Sequence, residues 1–328
     1  MKKINLAIVG ATGMVGTSFL KILQKREIKN QIGKLFLFAS KKNNGTKIEF
    51  CGREIVVETL TEKNIKNKKI DFAFFSAGKT VSKKFAHIFN KYNTIVIDNS
   101  SAFRMQKDVP LIVPQVNFEK TDTKIIANPN CSTIQCVLPL KVLQKNYGIK
   151  KISFTTFQAV SGSGMNGIKD FHNTMNGQIN EFYPHPIFNN VLPHIGTFLP
   201  NGFTDEEMKM VNETRKILNI STPISATCVR VPVENCHSVS IEVELEKSFM
   251  LKRIRKLFAK FNGIKVIDIP QENLYPLCKF ANNTDLVYVG RIRKDLFNKK
   301  ILHLFCVADN IRKGAATNGI EILEKLIE

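Results

Sequence analysis

The sequence predicts an α/β protein in which a Rossmann-like, doubly wound parallel sheet domain precedes an α+β domain with a mixed sheet. Short apolar runs alternate with amphipathic stretches up to residue 130, the pattern of repeated βαβ units. A glycine-rich turn, Gly10–Gly16, follows the first apolar run, as in dinucleotide-binding folds. Beyond Cys131 the strands alternate in polarity, and 328 residues are enough for two such domains.

The predicted strands of the first region are rich in Ile, Val and Phe. Several are continuous apolar runs, which is typical of strands buried on both faces of a sheet. We therefore expect a parallel sheet with helices on both faces. The predicted strands are Ile4–Val9, Leu35–Ala39, Asp71–Ser76, Thr94–Asp98, Leu111–Val113 and Lys124–Ala127.

A predicted helix from Cys131 to about Leu143 opens the second region. Alternating polar and apolar residues then indicate strands of an antiparallel or mixed sheet. These strands are Ile152–Ala159, Val239–Glu246, Leu286–Arg293 and Ile301–Val307.

The last stretch, from Gly314 to Glu328, has apolar residues at a helical spacing and is expected to pack back on the first domain. These apolar residues are Ile320, Leu323, Leu326 and Ile327. The predicted domains are residues 1–130, completed by a C-terminal helix over 312–328, and residues 131–311.

Composition and cysteine usage indicate a soluble cytoplasmic protein. No apolar run reaches the length needed to cross a bilayer, and the apolar stretch after Met1-Lys2-Lys3 breaks at Gly10, which favours a strand over a signal peptide. The odd number of cysteines, seven, without tight pairing is typical of a reducing compartment. Cys236 stands beside His237, but no second group of ligands at zinc-like spacing follows, so we expect no metal.

The net charge of +20 raises nucleic acid as a partner. Lysines are spread along the whole chain and form no aromatic-studded stripe, so a nucleic-acid-binding protein is the remote alternative. We expect neither nucleic acid nor membrane as a partner. A positive field would still favour anionic substrates and cofactors.

The turn Gly10–Gly16 predicts a dinucleotide site, since glycines let the main chain approach a pyrophosphate at a helix N-terminus; a simple tight turn is the alternative. After the second strand, Ser40, Lys41 and Lys42 replace the carboxylate of an NAD site, which favours NADP, although a solvated lysine loop has the same composition. Ser76 and Ala77 follow a later strand and are expected to line the cofactor cleft.

Cys131 is the predicted nucleophile, because it follows a strand and begins an apolar helix, where the helix dipole favours a thiolate. A small buried residue is the alternative, and it is the interpretation for most other cysteines. His237 is the candidate proton partner, predicted on a loop entering the second sheet. A cysteine hydrolase with these two residues is a rival from another enzyme class.

Six motifs in order resemble the aspartate-β-semialdehyde dehydrogenase family over nearly the whole chain. The third to sixth distinguish it from N-acetyl-γ-glutamyl-phosphate reductases, which have similar architecture and chemistry and are the alternative. The motifs are Gly10-Ala-Thr-Gly-Met-Val-Gly16, Asp98-Asn-Ser-Ser-Ala-Phe-Arg-Met105, Asn128-Pro-Asn-Cys-Ser-Thr133, Gln158-Ala-Val-Ser-Gly-Ser-Gly164, Glu206-Glu-Met-Lys-Met210 and Arg230-Val-Pro-Val followed by His237-Ser238.

The resemblance implies NADPH-dependent reduction of L-4-aspartyl phosphate to L-aspartate 4-semialdehyde and phosphate, in lysine, threonine, methionine and diaminopimelate biosynthesis. It implies a Cys131 thioester, with His237 as general acid and base and Gln158 positioning the intermediate. Arg230 would bind the substrate carboxylate, and Glu206, or its neighbour Glu207, the ammonium group.

The resemblance also assigns the remaining site residues and a homodimer built on the second domain, the catalytic and dimerisation domain. The first domain would bind NADP. The segment Glu234-Asn235-Cys236 departs from the family pattern and leaves the packing of that loop open. The implied phosphate-binding residues are Arg104, Lys209 and Asn130. The implied cofactor-binding residues are Gly10, Thr12, Gly13, Met14, Val15, Ser40, Lys41, Lys42, Ser76, Ala77, Ser161, Gly162 and Asn310.

Overall fold

The computed structural model describes residues 3–328 and divides them into two compact units. The first unit runs up to Pro129 and takes in Ala315–Glu328, and the second is Asn130–Gly314. Each unit has its own sheet.

The first unit contains a seven-stranded sheet in the order β3-β4-β2-β1-β5-β6-β7. The strands are β1 (Ile4–Val9), β2 (Ile32–Ala39), β3 (Lys47–Phe50), β4 (Arg53–Thr59), β5 (Phe72–Phe75), β6 (Ile95–Asp98) and β7 (Ile125–Ala127). All pairs are parallel except β3 and β4. In this sheet β2, β4 and β3 lie on one side of β1, and β5, β6 and β7 lie on the other. The strand order therefore reverses between β1 and β5, which is where doubly wound folds bind ligands.

Helices and an apolar core cover this sheet. The helices are α1 (Met14–Leu23), α2 (Glu62–Lys66), α3 (Lys79–Lys91) and α4 (Pro114–Asn117). The core joins α1 to the sheet through Phe19, whose ring stacks on Phe74 of β5 with centroids 4.2 Å apart. Burying such rings stabilises the unit by about 1.5–3 kcal/mol for each side chain.

The second unit contains a mixed six-stranded sheet in the order β11-β12-β13-β10-β8-β9. Its strands are β8 (Ile149–Gln158), β9 (Ile224–Arg230), β10 (His237–Leu245), β11 (Ile264–Val266), β12 (Val287–Lys294) and β13 (Ile301–Ala308). The pairs β8/β9 and β11/β12 are parallel, and the others are antiparallel. Its helices are α5 (Cys131–Tyr147), α6 (Gly164–Met175), α7 (Asp205–Leu218), α8 (Leu251–Lys260) and α9 (Cys278–Ala281).

The chain ends in a π-helical turn, Arg312–Ala316, and helix α10 (Thr317–Ile327). Ile320 and Leu323 of α10 are fully buried in the core of the first unit. A hydrogen bond from Asn318 to Asn128 ties the helix to the segment after β7. No helix in the part of the chain that the structure describes is both long and apolar enough to span a membrane.

The predicted fold class and most predicted strands are confirmed, but one strand is wrong. Leu111–Val113 forms only a single bridge, from Leu111 to Ala127, because Pro114 lacks an N–H and begins α4. Four strands were not predicted: β3, β4, β9 and β11. The hairpin β3–β4 is rich in charged residues and half exposed, so it lacks the apolar runs of the central strands.

Candidate active site

One edge of the second sheet gathers three of the predicted site residues at strand ends. Gln158 ends β8 and Arg230 ends β9, and the two are direct partners in the parallel register. His237 is the first residue of β10, which runs antiparallel to β8, so it begins where β8 and β9 end. The prediction that His237 lies on a loop is therefore wrong, because His237 pairs with Ala308 and belongs to strand β10.

Cys131 is the first residue of α5, and Asn130 is the N-cap of that helix. The Asn130 Oδ1 accepts hydrogen bonds from the main-chain N–H groups of Ser132 (3.0 Å) and Thr133 (3.3 Å). Such a cap stabilises a helix by about 0.5–2 kcal/mol. Cys131 thus lies at the positive end of the helix dipole, which favours a negative charge on its sulfur.

Glu206 of α7 connects several predicted site residues. One oxygen, Oε1, accepts from Asn130 Nδ2 at 2.8 Å and from Gln158 Nε2 at 3.3 Å, and Lys209 Nζ lies 3.1 Å from the other. Burial alone would raise the pKa of Glu206, but the Lys209 charge and the hydrogen bonds from Asn130 and Lys209 hold that pKa below its ordinary value. Glu206 is therefore a buried carboxylate kept ionised.

The neighbouring Glu207 is committed to the main chain. Its Oε2 accepts from the Thr204 N–H at 2.7 Å, completing the capping box of α7, and its Oε1 accepts from the Cys228 N–H at 3.1 Å. Of the two carboxylates that the sequence left open, Glu206 is the one that contacts the other predicted site residues.

Ala159 follows β8 and holds two site residues with its main chain. Its N–H donates to His237 Nδ1 at 3.0 Å, and its carbonyl oxygen accepts from Arg230 Nη1 at 2.7 Å. Ala159 is completely buried, so neither bond competes with solvent.

His237 is also completely buried, and within residues 3–328 its Nε2 has no hydrogen-bond partner. Burial and the nearby Arg230 charge hold the pKa of His237 well below its usual range. The imidazole is therefore neutral at physiological pH. A buried polar atom without a partner is uncommon in native proteins, and a bound ligand can supply that partner.

Gly162 leaves room beside these groups. A Cβ atom at Gly162 would lie 2.8 Å from Arg230 Nη1 and 3.0 Å from His237 Cε1. Arg230 is buried, and among the described residues its Nε has no hydrogen-bond partner. The absence of a side chain at Gly162 thus keeps space open next to an arginine and a histidine.

A polar network supports the segment before His237. Asn310 accepts from the Cys236 N–H at 2.9 Å and donates to Ser161 Oγ at 3.0 Å. Cys236 has φ +77°, a left-handed conformation that costs energy for a residue other than glycine. Asn235 donates to Asp309 Oδ2 at 3.0 Å, so the segment that departs from the family pattern is firmly hydrogen-bonded.

The first unit holds the glycine turn in the geometry that a dinucleotide site needs. Gly10 has φ +87°, and a Cβ there would lie 2.9 Å from the main chain of Ser76. A Cβ on Gly16 would collide with the Gly10 carbonyl oxygen. Gly13 is the N-cap of α1 and brings no side chain to its first N–H groups. The turn is thus open to a pyrophosphate at the helix N-terminus.

The loop after β2 carries Ser40, Lys41 and Lys42, all exposed. The next residue, Asn43, donates to Thr12 Oγ1 at 2.9 Å and so ties this loop to the glycine turn. Cations on such a loop suit an additional phosphate on the dinucleotide.

Arg104 belongs to the first unit and is buried. Its Nη2 donates to the Asn99 carbonyl at 2.9 Å. The loop that carries it is anchored by Asp98, whose carboxylate accepts from Ser82 Oγ at 2.6 Å and Ser100 Oγ at 2.7 Å. The cofactor loops and Arg104 therefore lie in one unit, and the thiol, the histidine, Arg230 and Glu206 in the other.

Two side chains that the sequence did not single out also fix the start of α5. Glu213, buried one heptad after Glu206 on α7, accepts from the Asn130 N–H at 2.6 Å. Residues seven apart lie on the same face of a helix, so the sequence could have placed Glu213 near Glu206. Gly314 packs on Cys131, since a Cβ there would lie 2.9 Å from Cys131 Cβ, and nothing in the local sequence indicates this contact.

The other cysteines lack the setting of Cys131. No cysteine in the described range 3–328 forms a disulfide, and no cluster there of three His, Cys, Asp or Glu side chains could hold a metal ion. Burial raises the pKa of Cys228 to about 12 and that of Cys136 well above its ordinary value, as expected for inert thiols.

Comparisons with known proteins identify the family of this chain. Two family models match the chain: the semialdehyde dehydrogenase NAD binding domain over residues 5–124 and the semialdehyde dehydrogenase dimerisation domain over residues 140–313. The Campylobacter jejuni aspartate-semialdehyde dehydrogenase is 44% identical over 100% of this chain and 98% of its own.

Solved structures are similar over the same extent. Vibrio cholerae aspartate semialdehyde dehydrogenase II complexed with ASA matches with a TM-score of 0.92 and 38% identity, over 100% of this chain and 99% of its own. The Candida albicans enzyme with NADP matches with a TM-score of 0.78 and 25% identity, over 99% and 98%. With both family models and a full-length relative matched, the chain belongs to the aspartate-semialdehyde dehydrogenase family.

Proposed function

We propose that the protein interconverts L-aspartate 4-semialdehyde and phosphate with L-4-aspartyl phosphate through a thioester on Cys131, coupled to NADP(H). The biosynthetic direction is reduction of the acyl phosphate, in the synthesis of lysine, threonine, methionine and diaminopimelate. Its relatives across the full chain are named for this activity, and the Vibrio cholerae relative is complexed with ASA.

A single observation carries the proposal. The helix that begins with the thiol is capped by Asn130, and the same Asn130 side chain donates to Glu206, which also accepts from Gln158. The nucleophile and an ionised carboxylate suited to an ammonium group are therefore positioned by one shared side chain. A hydrolase acting on an uncharged acyl group would need no such carboxylate.

Arg230 and Glu206 supply opposite charges for an amino-acid substrate. Arg230 binds the α-carboxylate through its guanidinium, and its Nε, which lacks a partner in the described residues, becomes satisfied. Glu206 binds the α-ammonium group. His237 lies beside Arg230 and acts on the oxygen of the acyl carbon.

Lys209 is one of the proposed phosphate-binding residues. Lys209 Nζ is paired with Asp205 at 2.7 Å and Glu206 at 3.1 Å, which leaves one of its three N–H bonds for a phosphate oxygen. Arg104 supplies a second cation, and the remaining amide hydrogen of Asn130 a neutral donor. These roles rest on the motif match.

NADP is the proposed cofactor, and when bound it accepts or donates the hydride of the reaction. Gly10, Gly13 and the N-terminus of α1 would hold the pyrophosphate, and Lys41 and Lys42 the additional phosphate. The motif match assigns the remaining cofactor contacts to Thr12, Met14, Val15, Ser76 and Ala77, and those with the nicotinamide to Ser161, Gly162 and Asn310. The Candida albicans structural relative contains NADP.

The protein is also proposed to be a cytoplasmic homodimer. The family model that covers residues 140–313 is a dimerisation domain, and absence of disulfides among residues 3–328 suits a reducing compartment. Sedimentation at several concentrations would test the dimer.

The test is an absorbance assay at the NADPH band with aspartate semialdehyde, phosphate and NADP⁺. We expect phosphate-dependent reduction of the cofactor. Cys131→Ala should lower the rate by about 10⁴-fold or more, because the covalent step is lost. Cys136→Ala, which removes a buried thiol of the same helix, is the control.

Near-native turnover by Cys131→Ala would overturn the thioester mechanism. Reduction that does not require phosphate would replace the acyl phosphate with a carboxylic acid product. Absence of NADPH binding would revive the hydrolase interpretation.

A further inference from the structure

A long irregular segment, residues 176–204, connects helices α6 and α7 in the second unit. It lies wholly within the described chain and contains neither a helix nor a strand, only isolated bridges. Connections of more than about 15 residues without secondary structure are uncommon in compact domains and are usually functional or disordered. This segment is hydrogen-bonded to its surroundings at several points, which favours a functional role.

Helix α6 anchors the first part of the segment through a buried carboxylate. Asp170 Oδ1 accepts from the Glu181 N–H at 2.5 Å, and Oδ2 accepts from the Tyr183 N–H at 2.9 Å. Asp170 itself is buried. The main chain at Tyr183 is therefore held against α6.

The Tyr183 side chain is buried in a small apolar cluster that includes Val160. Its hydroxyl donates to Ser163 Oγ at 3.0 Å and lies 3.5 Å from the Val160 carbonyl oxygen. These two partners are the first and last residues of the turn Val160–Ser163. One phenol thus contacts both ends of that turn.

The Tyr183 hydroxyl is a hydrogen-bond donor. Burial raises the pKa of Tyr183 above its ordinary value, and the Arg230 charge and the Ser163 hydrogen bond offset only part of that shift. The phenol is therefore protonated at physiological pH. An effect of the Arg230 charge on this pKa also requires the two side chains to be near each other.

The turn Val160–Ser163 lies against the guanidinium of Arg230. Ala159, the residue before the turn, accepts from Arg230 Nη1 at 2.7 Å, and a Cβ atom on Gly162 would lie 2.8 Å from the same Nη1. The position of the turn therefore limits where the guanidinium can lie.

A second residue of the segment holds the main chain of Arg230. The Leu192 N–H donates to the Arg230 carbonyl at 2.9 Å, and the Arg230 N–H donates to the Leu192 carbonyl at 2.8 Å. Leu192 is buried in the same apolar cluster as Tyr183. The segment thus holds the main chain of Arg230 directly and bounds its side chain through the turn.

We propose that Tyr183 is a positioning residue for the α-carboxylate of the substrate. Its hydroxyl fixes the turn Val160–Ser163, and the turn fixes the Arg230 guanidinium that receives the carboxylate. Tyr183 acts through Arg230 and not on the reacting carbon. The inference rests on the proposed function for the identity of the carboxylate that Arg230 binds.

The first experiment removes each hydroxyl of the Tyr183–Ser163 pair and measures steady-state kinetics with the aldehyde. Tyr183→Phe keeps the ring in the apolar cluster and loses the donor, and Ser163→Ala loses the acceptor. Each should raise the KM for the aldehyde by about 2–10-fold, the effect of one hydrogen bond. Because weaker uniform binding of the carboxylate raises KM alone, kcat should change by less than about twofold.

The double variant distinguishes one shared hydrogen bond from two separate effects. Tyr183→Phe/Ser163→Ala should have the same KM as either single variant, since either change already breaks the bond. A KM raised by the product of the two single effects would overturn the proposal. A wild-type KM in Tyr183→Phe, or a lower kcat with unchanged KM, would also overturn it.

Tyr147→Phe is the matched control. Tyr147 is also buried in the second unit, and its hydroxyl has no hydrogen-bond partner among residues 3–328. Its removal should leave the KM for the aldehyde unchanged. If Tyr147→Phe raised that KM equally, the effect would be a general one of losing a buried phenol oxygen, and the proposal would fail.

Hydrogen exchange gives a readout that does not depend on activity. The N–H groups of Ser161 and Gly162 are both hydrogen-bonded. In Tyr183→Phe, mass spectrometry of peptides that cover the turn should show about 2–10-fold faster exchange, whereas Tyr147→Phe should exchange like the wild type. Wild-type exchange in Tyr183→Phe would refute the role of its hydroxyl. If exchange rises as expected but the wild-type protein does not turn over the aldehyde, the proposed function fails and the link between Tyr183 and the turn stands.

Discussion

The two regions for which we propose functional roles are built by different means. In the first unit, the glycine turn Gly10–Gly16 is one contiguous segment whose main chain is the proposed pyrophosphate site. In the second unit, the groups come from five elements and two loops, and they are joined by hydrogen bonds such as Asn310 to Ser161, 149 residues apart. The first region is therefore encoded locally, whereas the second exists only in the folded unit.

This difference determines how substitutions act. In the glycine turn Gly10 and Gly16 each leave no room for a side chain, so a change at either position should affect cofactor binding alone. In the second unit, Glu206, Asn130 and Ala159 each hold more than one partner, so the effects of substitutions should be coupled. The following variants test that contrast.

The largest effect is expected from Arg230→Lys. A lysine cannot bind a carboxylate through two parallel hydrogen bonds, and it also loses the bond to the Ala159 carbonyl. Transition-state stabilisation should fall by about 2–5 kcal/mol, seen as a higher KM for the aldehyde with unchanged NADPH affinity. Arg255→Lys, which alters an ion pair with Asp268, is the control. An unchanged KM would remove Arg230 from the carboxylate role.

A pair of glycine substitutions should separate the two regions. Gly162→Ala places a Cβ 2.8 Å from Arg230 Nη1 and should lower kcat/KM by about 10²-fold through displacement of the guanidinium, with NADPH binding retained. Gly16→Ala should do the reverse, weakening NADPH binding while Cys131 reacts with iodoacetamide at the wild-type rate. Fluorescence titration and mass spectrometry measure the two properties. Loss of both properties in either variant would contradict separate encoding.

The smallest effect is expected from two helix caps. Thr204→Ala removes the cap of α7, and Thr61→Ala removes that of α2 in the first unit. Each should lower the free energy of unfolding by about 0.5–2 kcal/mol, measured by urea denaturation. Thr204→Ala should also raise the KM for the aldehyde, since α7 carries Glu206 and Lys209. If Thr61→Ala raised that KM equally, the effect would be one of general stability.

Much of the fold could be predicted from the sequence, because short contiguous segments determine many of its strands and helices. The strands β1, β5 and β6 are continuous apolar runs, and the start of α5 at Cys131 follows from Asn130 as a cap residue. The false strand at Leu111–Val113 shows the limit of this reading. Its apolar residues are buried as predicted, but whether they pair depends on Pro114 and on the position of β7.

The residues of the candidate site could also be predicted from the sequence, but their hydrogen-bond partners could not. Glu206 and Glu207 are adjacent and chemically identical, and only the fold turns one toward Gln158 and the other toward the main chain of Cys228. Gly314 gives no local signal, because its role is set by a contact with Cys131 across the second unit. Sequence spacing predicts which side chains share a helix face, and long-range pairing decides what they meet.

The Ala159 contacts have a consequence for the genetics of this protein. Both interactions are made by the peptide group and not by the methyl side chain, so a replacement that fits the buried site would keep the donor and the acceptor. Proline is the exception, since it has no N–H. The orientation of two proposed functional groups is thus determined by the path of the chain at position 159 and not by a particular side chain.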